Sequence, residues 1–246
     1  MMQQSWIILG ATSAIARSFA RQMAAEGAGL ILAGRDKAEL AALASDATLR
    51  GARFAEAMAF DTAAPNGFKK LLTRAGREEG SINAAIFTGS MPSQDQIDAD
   101  PGLIEPTVID NYSGPIRFLQ MFAPMIEERG HGTVVGVASV AGDRGRLGNY
   151  VYGSTKAGFA TYLSGLRNRL TRSGGHVVTV KPGMVDTAMT WGLDGLVLLA
   201  SPDKVAGDIV KAVRKRRNTI YSPAIWTVIM GIIRTIPEPI FKKLKI

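Results

Sequence analysis

Trp6-Ile7-Ile8-Leu9-Gly10-Ala11-Thr12-Ser13-Ala14-Ile15-Ala16 is the segment whose reading decides the fold. Four consecutive apolar residues read as a short strand covered on both faces, and the glycine after them reads as a tight turn into a helix. At such a turn backbone amides can approach a pyrophosphate, and the helix amino terminus adds a partial positive charge. Gly10, Thr12, Ser13, Ala14 and Ile15 are the candidate contacts. Of three small positions only Gly10 is a glycine; Ala14 and Ala16 fill the others, which alanine can do where φ stays negative. Over so short a stretch, a strand-to-helix turn without a ligand reads the same way.

Outward from this unit, short β-rich runs at 30–33, 53–59, 84–87, 133–138 and 177–180 alternate with helix-length stretches such as 14–26 and 36–47. That alternation implies right-handed crossovers and a doubly wound parallel sheet with helices on both faces. No repeat, low-complexity tract or linker interrupts it. The expected organisation is a single α/β Rossmann-type domain over residues 1–220, followed by a basic, amphipathic extension over 221–246.

With 46% hydrophobic against 20% charged residues, the chain can build a sizeable core. It has no cysteine, which removes disulfides, thiolate metal sites and cysteine nucleophiles and fits a reducing compartment. The two histidines, His131 and His176, lie far apart beside glycines, a poor basis for a metal site or a Ser-His-Asp triad. Residues 6–9 are too short for a signal peptide, and no run reaches the ~18 apolar residues of a membrane span. The expectation is a cytoplasmic protein, with peripheral attachment to the inner face of a membrane as the variant of it.

The second strand ends in Ala33-Gly34-Arg35-Asp36. An NAD-selective site usually places a carboxylate at this strand end for the ribose 2′-hydroxyl. Here Gly34 takes that position and Arg35 follows, a guanidinium able to pair with a 2′-phosphate. NADP(H) is the cofactor this favours. Asp36 reads as a cap for the following helix. Asp61, just after the third strand, is a candidate for the adenine amino group, or else a turn residue.

The most specific signal is Ser139, followed thirteen residues later by Tyr152-Gly153-Ser154-Thr155-Lys156. Tyr152 and Lys156 are spaced i, i+4 and share a helix face. Carbonyl reduction needs a proton donor beside the forming alkoxide, and a free phenol with a pKa of ~10 is sluggish at neutral pH. An ammonium about 4 Å away favours phenolate by ~4 kcal/mol at an effective dielectric near 20, roughly three pKa units. Ser139, at a strand's carboxyl end, can donate to the carbonyl oxygen as it gains charge.

This set, after the Gly10 turn and before Lys181-Pro182-Gly183, resembles the short-chain dehydrogenase/reductase family over residues 5–187. The resemblance implies Tyr152 as acid-base residue, Lys156 as its tuner and ribose binder, and Ser139 as carbonyl orienter. It implies that Asn111 holds a water in a proton relay. It also puts Pro182, Gly183, Val185 and Thr187 against the nicotinamide, Thr88 and Gly89 at the cofactor, and the chain in a homodimer or homotetramer. The family's Asn-Asn-Ala-Gly appears here as Ile86-Phe87-Thr88-Gly89, a departure on the cofactor side.

Residues 211–246 carry nine Lys and Arg against Glu238 alone, so the whole net charge of +8 belongs to them and suggests a local anionic partner. Trp226, Ile229, Met230 and Ile233 recur at helical spacing. Ile240, Phe241 and Leu244 form a second apolar face edged by lysines. This tail can lie on an anionic bilayer, or pack on its own domain or a dimer mate. Residues 149–158 and 236–246 are similar to the decaprenyl-phosphoryl-2-keto-ribose reductases, which implies a lipid-linked keto-sugar as one substrate class beside small-molecule ketones. Lys215-Arg216-Arg217 alone does not make a nucleic-acid reader. A non-catalytic, NADP-binding sensor or scaffold is the rival from another class.

Overall fold

The computed structural model describes residues 3–64, 66–188, 190–191 and 198–244; Lys245 and Ile246, the end of the expected tail, lie outside the described residues. Among the described residues there are seven strands: β1 Gln4–Leu9, β2 Gly29–Gly34, β3 Phe54–Ala59, β4 Ser81–Ile86, β5 Thr133–Val137, β6 His176–Pro182 and β7 Thr219–Ser222. They pair in parallel in the order β3-β2-β1-β4-β5-β6-β7. The order reverses between β1 and β4, and the crevice outside their carboxyl ends is where such sheets bind ligands.

The helices are α1 Ala14–Ala25, α2 Lys37–Leu49, α3 Asn66–Gly76, α4 Gln94–Ala99, α5 Ile104–Val108, α6 Gly114–Arg129, α7 Tyr150–Leu170, α8 Pro202–Arg214, α9 Trp226–Thr235 and α10 Glu238–Phe241. Successive side chains of a strand point to opposite faces, so the apolar run of β1 serves two cores. Trp6 and Ile8 join α1, α2 and α8, with Trp6 edge-on to Phe19 at 5.1 Å. Ile7 and Leu9 join α3, α6 and α7, where Phe60, Phe68, Phe118 and Phe122 form a chain of ring contacts. Each such side chain, fully buried, contributes about 1.5–3 kcal/mol.

Local signals set the helix starts. Asp36 caps α2 through the Glu39 amide at 3.0 Å, as its position after β2 predicts. Ser13 caps α1 through the Ala16 amide.

β7 is an unforeseen edge strand, and a boundary after residue 220 falls inside it. Beyond it, α9 packs on its own domain: Trp226 and Met230 are buried against Val140, with Met184, Tyr221, Ile229 and Ile233 around them. Arg144 fastens this segment by donating to the Ile233 and Ile236 carbonyls, pairing with Glu238 at 2.9 Å and lying 3.6 Å from the centre of the Phe241 ring. Ile225, Val228, Ile232, Ile240 and Leu244 stay exposed on the outer side. Among the described residues no helix is long and apolar enough to cross a membrane.

The basic residues of the tail do not form one patch. Lys211 and Arg214 lie in the last turn of α8, where they complement the helix dipole, and the Arg217 carbonyl meets His176 at the start of β6. Lys215, Arg216 and Arg217 therefore sit at the amino edge of the sheet, away from the carboxyl edge that α9 and α10 cover.

Candidate active site

At the carboxyl ends of β1, β2 and β4 an open cleft of about 300 Å³ is lined by Gly10, Thr12, Ser13, Gly34, Arg35, Asp36, Phe60, Asp61, Thr62, Phe87, Thr88, Gly89 and Asp110. Gly10 has φ +72°, and a Cβ on it would stand 2.9 Å from the Phe87 carbonyl carbon and 3.0 Å from the Thr88 amide. Only glycine serves at this crossing of the first and fourth strands. No alanine of the turn has positive φ, so the replacements at Ala14 and Ala16 are unstrained. Ala14 and Ile15 do not line the cleft. They form the first turn of α1, and Ile15 packs towards the core. What they can offer a ligand is backbone.

The cleft offers a dinucleotide two unengaged groups. Arg35 is exposed at its rim with no ion-pair partner among the described residues. The buried Thr88 hydroxyl has no hydrogen-bond partner, a vacancy that a ligand group satisfies. Asp61 lines the cleft while one of its oxygens accepts from the Ala63 amide at 2.9 Å, so it holds its own turn as well.

The proposed catalytic residues converge beside this cleft. Ser139 follows β5 and caps a short 3₁₀ turn, Val140–Gly142, by accepting from the Ala141 amide at 3.1 Å. Tyr152 and Lys156 lie in the first turns of α7 at 7% and 4% exposure. Burial pushes the Tyr152 phenol up to about 12, against the opposing pull of a Ser139 hydrogen bond and the Arg146 charge. Burial likewise lowers Lys156 to about 8, opposed by Asp110. Its Nζ donates to the Val137 carbonyl at 3.2 Å and stands 5.7 Å from the centre of the Tyr152 ring.

Burial is the largest influence on the phenol in this arrangement and outweighs the charges around it. The lysine donates to a backbone carbonyl, and desolvation dominates both side chains. The charge acting on the phenol is that of Arg146.

Asn111 sits in a π-helical turn, Ile109–Ser113, of the kind frequent at functional sites. Fully buried, it donates through Nδ2 to the Ser90 and Thr107 carbonyls at 2.7 and 2.9 Å, which leaves Oδ1 without a partner. A Cβ on Gly89, whose φ is +155°, would lie 2.6 Å from that Oδ1 and 3.2 Å from Lys156 Nζ. Gly89 thus keeps open a small polar space between the asparagine and the lysine.

Pro182 ends β6 and Gly183, Val185 and Thr187 follow it, all four outside the lining of the cleft. Val185 is buried and bridges to Ala200, and the Thr187 amide donates to the Thr190 hydroxyl at 3.2 Å. Gly183 lies against the Trp226 indole, where any side chain would collide with the ring.

Sequence reasoning passed over the loop between Ser139 and Tyr152. Asp143, with its side chain 2% exposed, pairs with Lys181 and accepts from the Tyr221 hydroxyl at 2.6 Å, locking the loop to β6 and β7. The available signal was three charged residues, Asp143, Arg144 and Arg146, within four positions of an otherwise neutral catalytic spacing.

Known proteins share this framework. The family model for short chain dehydrogenases matches residues 4–195. An uncharacterized oxidoreductase encoded in the mprA 5′ region of Streptomyces coelicolor is 30% identical over 243 residues, covering 98% of this chain and 96% of that one. An uncharacterized oxidoreductase of Mycobacterium tuberculosis is 29% identical over 239 residues, covering 97% and 96%. A short-chain dehydrogenase from Sphingobium yanoikuyae, solved in complex with NADPH, superimposes with a TM-score of 0.82 at 25% identity, covering 96% of this chain and 97% of that one.

Proposed function

This chain belongs to the short-chain dehydrogenase family, a family of oxidoreductases, and from that premise we propose that it is an NADP(H)-dependent carbonyl reductase with Tyr152 as proton donor. The observation that carries the reading is the group of Tyr152, Ser139 and Lys156, with Tyr152 and Lys156 buried, at the sheet edge where the cleft opens. The NADPH of the Sphingobium yanoikuyae relative and the unpaired Arg35 at the cleft rim both favour NADP(H).

Bound NADPH supplies the hydride. Ser139 donates to the carbonyl oxygen, favouring the transition state because that oxygen is then most negative. The Tyr152 phenol holds its proton firmly and yields it to the alkoxide, a stronger base. Lys156, lowered to about 8, keeps its proton at neutral pH and releases it readily, which suits it to recharge the phenol. The orphaned Asn111 Oδ1 beside Lys156 Nζ can hold a water on the path to solvent. Gly10, Thr12, Ser13 and the α1 amino terminus would hold the phosphates, Asp61 the adenine side, and Gly183, Val185 and Thr187 the nicotinamide side.

Ketones and keto-sugars are the proposed substrates, a keto-sugar carried on a lipid phosphate among them. The docked tail favours the lipid-linked member, with its exposed apolar side and with Lys242 and Lys243 following Phe241, which rests on Arg144 of the loop before Tyr152. The same side can attach the protein peripherally to a membrane or pair it with a second copy. NADPH oxidation against a panel of ketones, keto-sugars and lipid-linked keto-sugars tests the reading; a well-folded protein that binds NADPH and reduces none of them would overturn it.

A further inference from the structure

The loop of residues 143–149 carries Asp143, Arg144 and Arg146 past the catalytic phenol, and two of the three charges are fully employed. Asp143 is taken by Lys181 and Tyr221. Arg144 is taken by the tail. Arg146 differs: its Nε is buried with no hydrogen-bond partner, and none of the described carboxylates pairs with it. Burial holds its guanidinium below the usual range, opposed by the nearby Asp143 carboxylate, which is itself paired with Lys181, and by the Tyr152 phenol. Three residues on, the Asn149 side-chain oxygen is also buried and unpartnered, while its amide closes the turn on the Arg146 carbonyl at 3.2 Å.

A cation that is partly desolvated and unpaired is costly to a fold, and the cost is recovered when a ligand brings the opposite charge. Arg146 is not needed to fasten the loop, since Asp143 and Arg144 do that. Nor is it placed for the cofactor's phosphates, which belong at the Gly10 turn and Arg35 across β4 and β1. What it does adjoin is the phenol that protonates the product.

Building on the reductase reading, we propose that Arg146 selects the substrate: the carbonyl compound carries a carboxylate or phosphate near its carbonyl, and Arg146 pairs with that group beside Tyr152. The guanidinium fork matches the two oxygens of either anion, and its loop is held in advance by the Asp143 and Arg144 contacts. A ketone lacking the anion leaves the guanidinium unpaired and is the poorer substrate.

The test is NADPH-dependent reduction by wild type, Arg146→Gln and Arg146→Lys on two matched pairs: a keto acid with its methyl ester, and a ketose phosphate with the free ketose. The readout is kcat/KM for the anionic member over the neutral one, a ratio that cancels any effect on Tyr152 common to both. Wild type should prefer the anion in one pair, which tells carboxylate from phosphate. Arg146→Gln should cut that preference roughly 10- to 100-fold, mainly through KM, and Arg146→Lys should retain part of it. Arg146→Lys stands in if the glutamine variant fails to fold. A preference absent from wild type, or unchanged in both variants, overturns the proposal and leaves the reductase reading intact. If wild type turns over none of the four, the reductase reading is decided on the wider panel of ketones and lipid-linked keto-sugars, and the anion site by binding alone. Calorimetric titration of NADPH-loaded wild type and Arg146→Gln with inorganic phosphate and with acetate then decides on the anion site: binding lost in the variant supports it, and equal or no binding in both overturns it.

Discussion

Lys156 and Tyr152 lie one helical turn apart on α7 with the ammonium 5.7 Å from the ring centre, and burial moves them in opposite directions, the phenol up to about 12 and the lysine down to about 8. The lysine is thus the readier proton source and the phenol the tighter holder. That order suits a relay in which Lys156 refills Tyr152 after each turnover.

Removing the phenolic hydroxyl should break this relay at its last step. Tyr152→Phe is expected to lower kcat for ketone reduction roughly 10²- to 10⁴-fold while leaving NADPH affinity little changed. Steady-state kinetics with fluorescence titration of NADPH measures both. Retention of full activity would remove Tyr152 from its role.

The buried lysine also makes stability depend on pH. Lys156 titrates near 8 in the fold against 10.5 as the ordinary value, so below pH 8 the folded state bears the full cost of a buried ammonium. Between pH 8 and 10.5 the unfolded chain holds more protons, and stability rises with pH. Tyr152 acts the other way one window higher: its contribution is present below pH 10 and lost as pH rises towards 12. Comparing denaturant unfolding of wild type with Lys156→Met, wild type should gain up to about 3 kcal/mol on the variant between pH 8 and 10. A constant difference would show that the ammonium is not desolvated.

Cofactor choice should follow Arg35. Arg35→Ala is expected to weaken NADPH binding roughly 10- to 100-fold, the worth of a charge-assisted hydrogen-bonded pair, and to leave NADH binding as it was. Parallel loss of both cofactors would mean that Arg35 supports the turn and does not read the 2′-phosphate.

Arg144→Ala should release the tail. It removes donors to two carbonyls at the end of α9 and a cation stacked on Phe241; the partner Glu238 is largely exposed and adds little. A loss of about 2–4 kcal/mol is expected, with faster tryptic cleavage at Arg234. Unaltered cleavage would show that the apolar contacts of Trp226 and Met230 hold the segment by themselves.

The sheet was legible wherever a strand is covered on both faces, because runs such as Ile7-Ile8-Leu9 and Leu30-Ile31-Leu32 leave little other use for consecutive apolar residues. β7 was not, since Thr219-Ile220-Tyr221-Ser222 is four residues long and lies at the sheet edge. The spacing of Ser139, Tyr152 and Lys156 foretold that these side chains meet, but not their charge states, which depend on how much water the surrounding loops exclude. The tail's helical stripe was visible as well. Which way it faces was not, because the contact that settles it joins Arg144 to residues about ninety positions away.

The docking of Trp226 on Gly183 and of Phe241 on Arg144 has a consequence for how the protein is made. Synthesis delivers the Gly10 turn first and the Phe241 ring that rests on Arg144 last. A nascent chain can already possess most of its sheet and Tyr152 while Gly183 and the Arg144 loop still lack their cover. Fusions or trims at the carboxyl terminus therefore act on the loop that runs between Ser139 and Tyr152, and an expression tag belongs at the other end.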